Sequence, residues 1–592
     1  MALEYRPKTN AFRPLMAFAL TTTLLIPLAA KAQEATVLDT IVLEGNDVAT
    51  AVNGYIAKGS TSGTKTATPL ARTPQTINVV PASQIASQGA TTVAQALRYT
   101  PGIVTEYRGT SNLHDETFVR GFGYVPRFVD GLIFGSGSFG QMDPWMLDRV
   151  ELVKGPASVL YGQANPGGLI NMTTKTANGE RVREVQLTTG NRSRAGLAFD
   201  FGDKLSETVD WRLVGTGWQV DTQENGLKQR RFALAPSLRF TPTDETTITV
   251  TALLQNEPDA GFRNFREAAG TLYPTVNGDF IPGDFLVSDP AWQRSTRNTQ
   301  VEHDLGVNTT LRARARISDI DTDYRTLTWG SLGTDGVTIS RTASGGTDRL
   351  RQAVADLSVE HRFQTGTAQH TLLAGIDYQD SRRDYQWGFD FSVPSIDWTD
   401  PVYGYDDFDL SERASSTRTD SRQTGLYLQD QIEIGNWDLV AGLRLDDFDI
   451  SVRDNLTDST TDFTDQATTG RIGALYTFAN GVAPYISYST SFEPVTESSG
   501  TSTPFDPTEA EQVELGVKWA SNDGRFFAQA AVFDLTQTGV LVYNYETFGY
   551  DQIGEIQSKG LELEGRAELG NGWSLIGSAA WLDAEVTETS NT

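Results

Sequence analysis

Few side chains in this chain could do covalent or metal chemistry. There is no cysteine, and the only histidines are His114, His303, His361 and His370. Disulfides, zinc–thiolate centres and thiol nucleophiles are therefore excluded. His361 and His370 flank an expected short turn, so they offer no haem-capturing pair among outer loops. Asp454, Asp458, Asp462 and Asp465 fall in one expected loop and have the oxygen chemistry of a calcium ligand set. A solvated acidic loop is the plainer account of them. No nucleophile–base pair, phosphate loop or metal-hydrolase signature occurs, and no enzyme activity is expected. What is left is recognition. Arginine–carboxylate pairs and aromatic walls can hold a ligand without reacting with it.

The elements that must position such groups are strands. From about residue 182 the sequence alternates with period two. Val513, Leu515, Val517 and Trp519 alternate with Gln512, Glu514, Gly516 and Lys518. Leu561 and Leu563 alternate with Glu562 and Glu564, and Leu443 and Leu445 with Arg444 and Asp446. Glu514 thus lies on the polar face of its strand. Runs of about 9–15 residues suffice to cross a bilayer when tilted. Connections alternate between minimal turns, as at Gly435-Asn436 and Asn480-Gly481, and long polar stretches over 256–295, 386–419 and 491–507. Short turns on one side and long loops on the other are the pattern of an outer-membrane β-barrel. We count roughly 17 such strands, within the accuracy of pattern reading.

Composition is consistent with this. The chain has 592 residues, with 48 basic and 75 acidic side chains for a formal net charge of −27. That balance argues against nucleic acid as the main partner. A 39% hydrophobic fraction is compatible with a barrel, where only alternate residues face lipid.

The N-terminal part has a different texture. Arg6, Lys8 and Arg13 precede an apolar stretch from Leu15 to Ala30, and Ala30-Lys31-Ala32 fits a cleavage site, so residues 1–32 are expected to be a secretory signal peptide. No later run reaches the ~18 apolar residues that a membrane helix needs. Residues 33–66 are expected to be a flexible segment, poor in large apolar side chains. Within it Asp39-Thr40-Ile41-Val42-Leu43 has the propensity to add as a strand to a partner's sheet. Residues 67–176 are expected to be a compact α+β unit. It has a short helix over Ala90–Leu97 and apolar runs at Ile77–Val80, Phe128-Val129, Val150–Val153 and Leu169–Met172.

These residues carry a resemblance. The chain resembles the TonB-dependent outer-membrane siderophore receptors, in particular their ferric-hydroxamate (ferrichrome-like) branch. Asp39-Thr40-Ile41-Val42-Leu43 resembles the TonB box. Thr73-Pro74-Gln75-Thr76-Ile77-Asn78-Val79-Val80, Phe118-Val119-Arg120-Gly121-Phe122 and Val129-Asp130-Gly131-Leu132 resemble motifs of the plug domain. The run Asp148-Arg149-Val150-Glu151-Leu152-Val153-Lys154-Gly155-Pro156 is the most specific. Pro484-Tyr485-Ile486-Ser487-Tyr488 and Glu514-Leu515-Gly516-Val517-Lys518 resemble barrel segments.

The resemblance implies an all-β transmembrane barrel over residues 182–592, filled by an N-terminal α+β plug domain at 67–176. The family's barrel has about 22 antiparallel strands and a plugged lumen. With fewer strands before Thr592, the barrel is expected to be C-terminally incomplete. The implied function is active import of a ferric siderophore across the outer membrane of a Gram-negative bacterium, by a monomer energised through TonB. Receptors for cobalamin, sugar or another metal chelate, and a passive porin-like barrel, are the alternatives. No cofactor is implied, and iron enters only as the bound ferric siderophore. The resemblance places Arg120 and Arg149 opposite Glu493 and Glu514 as a plug–barrel latch. It also suggests Arg108, Tyr107, Tyr124 and Phe139 of the plug apex as ligand groups. Trp329, Tyr385 and Trp387 of the barrel are further ligand candidates, with an interfacial aromatic girdle as their other role.

Overall fold

The structure, a computed structural model, describes residues 52–106, 115–134, 141–221, 228–260, 291–397, 399–402, 405, 407–495, 505–544 and 549–588. Its dominant element is an 18-stranded antiparallel sheet in which each strand pairs with the next in sequence, except that Ile396–Asp397 pairs back onto Thr338–Thr365 and Ala368–Asp390 pairs directly with Arg413–Ile434. One member, Ile396–Asp397, is only two residues long. Among the described residues no pairing joins the first strand, Val182–Thr189, to the last, Trp573–Glu588.

The alternation sorts side chains as the period-two pattern requires. Leu426, Leu428, Leu443, Leu445, Val513 and Leu515 are exposed on the outer face. Gln423, Gln429, Arg444, Asp446, Gln512 and Glu514 are buried on the inner face. The outward stripe is therefore the lipid-facing one and the inward stripe meets a polar interior. Gly435, at φ +58°, turns Arg413–Ile434 into Trp437–Asp454 with only Asn436 beside it. Gly481, at φ +81°, precedes Val482–Glu493 in the same way.

Inside lies a second, five-stranded sheet in the order Ile77–Pro81, Leu147–Lys154, Gly168–Thr174, Arg127–Val129, Leu132–Ile133. Its four apolar runs are the ones expected from sequence. Val80, Leu97, Val150, Leu152, Ile170 and Met172 form its core and pack onto Val214, Leu253, Ile320 and Leu350 of the surrounding wall.

Several expectations need correction. The helix expected over Ala90–Leu97 is only Val93–Ala96, with Thr92 accepting the Gln95 N–H at its start. A longer helix, Ala82–Gln88, precedes it and ends at Gly89 in the left-handed region. Its Ser- and Gln-rich sequence lacks a clear apolar stripe, and this hid it. Several strands exceed the expected 9–15 residues, while others, such as Ala195–Lys204 and Thr508–Ala520, fall within it. Thr309–Leu332 has 24 and Thr338–Thr365 has 28, because polar rungs continue the ladder beyond the apolar band. For the same reason Asp454 ends the strand Trp437–Asp454, Asp462 and Asp465 sit on Ser459–Tyr476, and of the four only Asp458 lies in the connecting turn.

Residues 52–66, the described part of the stretch expected to be flexible, are packed inside the barrel. Gly59–Ser60 pairs with Thr68–Pro69 and closes a loop. Ser60 Oγ donates to Glu151 at 2.8 Å, and Lys65 Nζ meets Asp356 Oδ2 at 2.7 Å. Hydroxyls and one lysine satisfy a polar interior, so counting apolar residues underestimates the order of this segment.

Candidate functional site

The inner sheet meets the barrel through apolar packing and through a buried ionic cluster. Arg120 leaves the strand Thr117–Val119 with φ +52°, and Gly121 follows at φ +90°, so the chain turns sharply and aims the guanidinium at the wall. Its Nη2 lies 2.8 Å from Glu514 Oε2 and 2.8 Å from Glu562 Oε2. Its Nη1 donates to Gln512 Oε1 at 2.6 Å. The guanidinium also stacks over the Phe533 ring, 3.9 Å from its centroid. All three charged side chains are essentially excluded from solvent.

Each carboxylate has further partners. Glu514 Oε1 accepts from the Thr76 N–H and hydroxyl, both at 2.9 Å, and from Tyr485 Oη at 2.8 Å. Glu562 Oε1 meets Lys154 Nζ at 2.9 Å, and that ammonium also donates to the Pro101 carbonyl. Two inner cations therefore face two wall carboxylates, with their remaining lone pairs satisfied. A buried ionic cluster is tolerated only in that condition. Burial is the strongest influence on the Lys154 ammonium and lowers its pKa, against the opposing pull of Glu562. For Arg120 burial again pushes down, but Glu562 and Glu514 together hold the guanidinium above its usual range. Gly155 belongs to the same seam, at φ +76°, where a Cβ would run into the Gln512 side chain.

Of the four latch residues suggested from sequence, the structure joins Arg120 and Glu514. Arg149 instead pairs with Asp148 at 3.0 Å and Glu151 at 3.8 Å within the inner sheet. Glu493 hydrogen-bonds Asn165, away from both arginines. It ends the strand on which Ala164 N donates to Phe492 O at 3.1 Å. Sequence reasoning missed Glu562, Gln512 and Lys154 as partners. The Leu561–Glu562–Leu563 alternation already carried the signal for Glu562.

A second ionic contact secures the loop at residues 59–69. Lys65 Nζ lies 4.1 Å from the Tyr427 ring centroid, and Tyr427 Oη donates to Asp356 at 2.8 Å. Burial would depress the Lys65 ammonium, but Asp356 outweighs it and holds the pKa above the usual lysine range. Gln429 Nε2 donates to Thr64 O at 3.0 Å, and Arg471 Nη1 to Gly63 O at 2.6 Å.

At the long-loop end, Trp387 stacks on Tyr324 with centroids 5.5 Å apart, and Tyr385 lies 6.3 Å from it. Arg383 sits 5.1 Å over Tyr385 and bonds Asp348 at 2.7 Å. Tyr385 and Trp387 alternate inward, so this is an interior aromatic ledge. Tyr124 is exposed at φ +58°, and its ring tilts against Phe118 at 6.2 Å. Asp39–Leu43, Tyr107, Arg108, Phe139 and the Trp329 side chain lie outside the described residues. Among the described residues no group of acidic or histidine side chains could hold a metal ion.

Comparison with known proteins fits this geometry. The family described as "TonB dependent receptor-like, beta-barrel" matches residues 237–592, and "TonB-dependent Receptor Plug Domain" matches residues 69–169. The chain is 33% identical to a ferrichrome outer membrane transporter/phage receptor of Escherichia coli, covering 90% of this chain and 76% of the relative. It is 34% identical to a ferrioxamine B receptor of Salmonella typhimurium, covering 94% and 79%. In fold it resembles the ferric-catecholate import receptor Fiu of Escherichia coli in its closed form, with TM-score 0.80 and 21% identity over 91% of this chain and 84% of that one.

Proposed function

The chain belongs to the TonB-dependent receptors, and from that premise we propose that it imports ferric siderophores of the hydroxamate type through a plug latched by Arg120. It is an outer-membrane receptor and transporter, as its family is, and not an enzyme. Its relatives at about a third identity are named for ferrichrome and ferrioxamine, and both names denote hydroxamate chelates. An outer membrane has no nucleotide pool to drive import. Energy must come from a partner, and the TonB box at Asp39–Leu43 is the handle for it. Strand addition there supplies main-chain hydrogen bonds to pull on.

The observation that carries this function is the seam itself. Arg120 and Lys154 on the plug meet Glu514 and Glu562 on the barrel in a sealed ionic cluster. Directional polar bonds of this kind fix the seated plug in one orientation, alongside the apolar packing of its core on the wall. A passive pore has no use for such a seam. At the outer end the aromatic ledge of Tyr385 and Trp387 supports ligand capture, as do Tyr124 and, on this assignment, Tyr107, Arg108, Phe139 and Trp329. The iron arrives fully ligated, so walls and donors suffice.

The test is uptake of radiolabelled iron from ferrichrome and ferrioxamine B by cells carrying the chain, with and without Ile41→Pro. Proline removes an amide donor from the added strand. Uptake is expected to vanish in the variant while surface binding persists. Uptake indifferent to Ile41→Pro overturns the energised mechanism. Binding of cobalamin or a sugar in place of both chelates overturns the ligand class.

A further inference from the structure

One inner-wall strand carries an unusual column of donors. Along Thr309–Leu332 the even-numbered side chains point inward, while Ile317 between them is well exposed. The inward positions run from Tyr324 at the long-loop end through Thr322, the apolar Ile320, Ser318, Arg316 and Arg314 to Arg312 at the short-turn end. Successive inward positions lie roughly 7 Å apart.

The three arginines are engaged very differently. Arg312 is saturated by Glu360 at 2.6 Å and Glu302 at 3.1 Å. Arg316 is buried and has no carboxylate partner among the described residues. It donates to the plug carbonyls of Val129 and Leu132, each at 3.0 Å, and to that of Ile133. Among the described residues its Nε has no partner, and neither do the buried Ser318 and Thr322 hydroxyls on the same face. Arg314 makes no hydrogen bond or ion pair among the described residues, although Asp130 and Asp356 feel its charge. The turn of the plug hairpin covers it. A Cβ on Gly131 would stand 3.2 Å from Arg314 Nη1.

Buried donors without acceptors are costly, and native proteins rarely leave several on one face. Here Arg316, Ser318 and Thr322 are such donors, on either side of Ile320 and below the Tyr324–Trp387 stack, and the half-buried Arg314 continues the same face toward the periplasmic turn. The plug segment that caps this face offers Arg316 only backbone carbonyls as hydrogen-bond acceptors, with the Asp130 carboxyl acting on the arginines through charge alone. A ligand rich in acceptor oxygens matches that chemistry.

We infer that Arg316, Arg314, Ser318 and Thr322 form a transit site for the oxygen shell of a ferric hydroxamate, exposed when the plug hairpin at Arg127–Ile133 moves off the wall. The chelate exchanges places with the hairpin's carbonyls. It accepts hydrogen bonds from Arg316, then from Arg314, and leaves past Arg312, whose two glutamates keep it from holding the ligand. This site rests on the import function above. It is distinct from the outer capture site, because in the closed state it is covered.

The test uses Arg314→Gln, since this guanidinium makes no bond among the described residues and its loss is expected to leave the fold intact. Binding of ferric ferrioxamine B to the purified protein is expected to stay unchanged. Uptake by energised cells is expected to fall roughly tenfold, the effect of one charge-assisted hydrogen bond. Arg314→Lys should recover most of the rate. The pair Ser318→Ala with Thr322→Val, which removes only small side chains, should slow uptake severalfold with binding again unchanged. Full uptake in Arg314→Gln overturns the site, and so does a parallel loss of surface binding, which would mark a structural role. No uptake by the unaltered chain overturns the import function itself, and the transit site with it.

Discussion

Arg120 of the plug and Glu514 of the barrel meet at 2.8 Å with neither side chain exposed to solvent. Their sequence separation is nearly four hundred residues, so the contact forms only when the plug is seated. Glu562 completes it at the same Nη2 and at the same distance.

Arg120→Ala strands two buried carboxylates. Removing one partner of a buried ion pair costs about 3–5 kcal/mol, more than the pair itself contributes against an apolar replacement. The expected outcome is a barrel that still assembles around a plug that protease reaches readily. Adding Glu514→Gln and Glu562→Gln to Arg120→Met should restore most of the protection. Limited proteolysis and thermal unfolding of the purified protein check both. Unchanged protection in Arg120→Ala would remove this contact from the latch.

Lys65 and Asp356 secure the loop ahead of the plug sheet, and their contact has a defined pH response. Burial pulls the Lys65 pKa down, but Asp356 raises it above the unfolded value. The folded state therefore binds the proton more tightly. The stability this contributes is complete below the unfolded lysine pKa of about 10.4 and is lost only as pH rises through the higher folded value. Hydrogen exchange at the amides of 63–68 should show no loss of protection from this contact between neutral pH and about 10. In Lys65→Met the same amides should exchange faster already at neutral pH, because Asp356 is left buried and unpaired. A wild-type exchange pattern in Lys65→Met would show that the backbone bonds from Gln429 and Arg471 hold the loop alone.

Sequence alone reveals much of this molecule where a pattern is local. Strand alternation needs no partner strand to be recognised: Val513, Leu515 and Val517 point one way and Glu514 the other in any pairing. The plug's four apolar runs are legible for the same reason. What stays hidden depends on encounters across hundreds of residues. Arg149 and Arg120 both sit in conspicuous plug motifs, and nothing local says that one turns outward at φ +52° while the other pairs with Asp148 beside it. Glu493 and Glu562 are likewise both inward-pointing candidates, and only the seating of the plug selects Glu562. Residues 52–66 look unstructured in sequence because their partners are polar groups of the lumen, and those lie far along the chain.

Burial raises the pKa of Asp115, a plug carboxyl close to Arg127, and the arginine charge only partly offsets this. The folded state therefore favours the proton more than the unfolded chain does. Plug stability should rise as pH falls into the range between the raised folded value and the usual aspartate value of about 3.9. This trend is opposite to that of a normally salt-bridged carboxylate. Asp115→Asn should flatten that part of the profile, measured as plug unfolding against pH. An unchanged profile would assign the trend to another buried carboxyl such as Asp130, which burial also raises.

Trp387 makes the sharpest test of the capture surface. Its ring lies nearly parallel to those of Tyr324 and Tyr385, at interplanar angles of 19° and 9°. Stacked aromatics of this kind contribute about 0.5–1.5 kcal/mol beyond the area they bury. Trp387→Ala should therefore weaken binding of a ferric hydroxamate by several-fold to about tenfold, since about 1.4 kcal/mol is a factor of ten. Trp387→Phe should retain most of the affinity, because the ring plane survives. Quenching of tryptophan fluorescence by ferric ferrioxamine B reads binding in the unaltered protein. Radiolabelled iron binding reads it in the variants, where the tryptophan signal itself changes. If the ledge serves only to anchor the strand Ala368–Asp390, Trp387→Ala will lower thermal stability and leave affinity untouched. If it meets the ligand, affinity falls first and stability little, because Tyr324 remains packed in the plug-facing core.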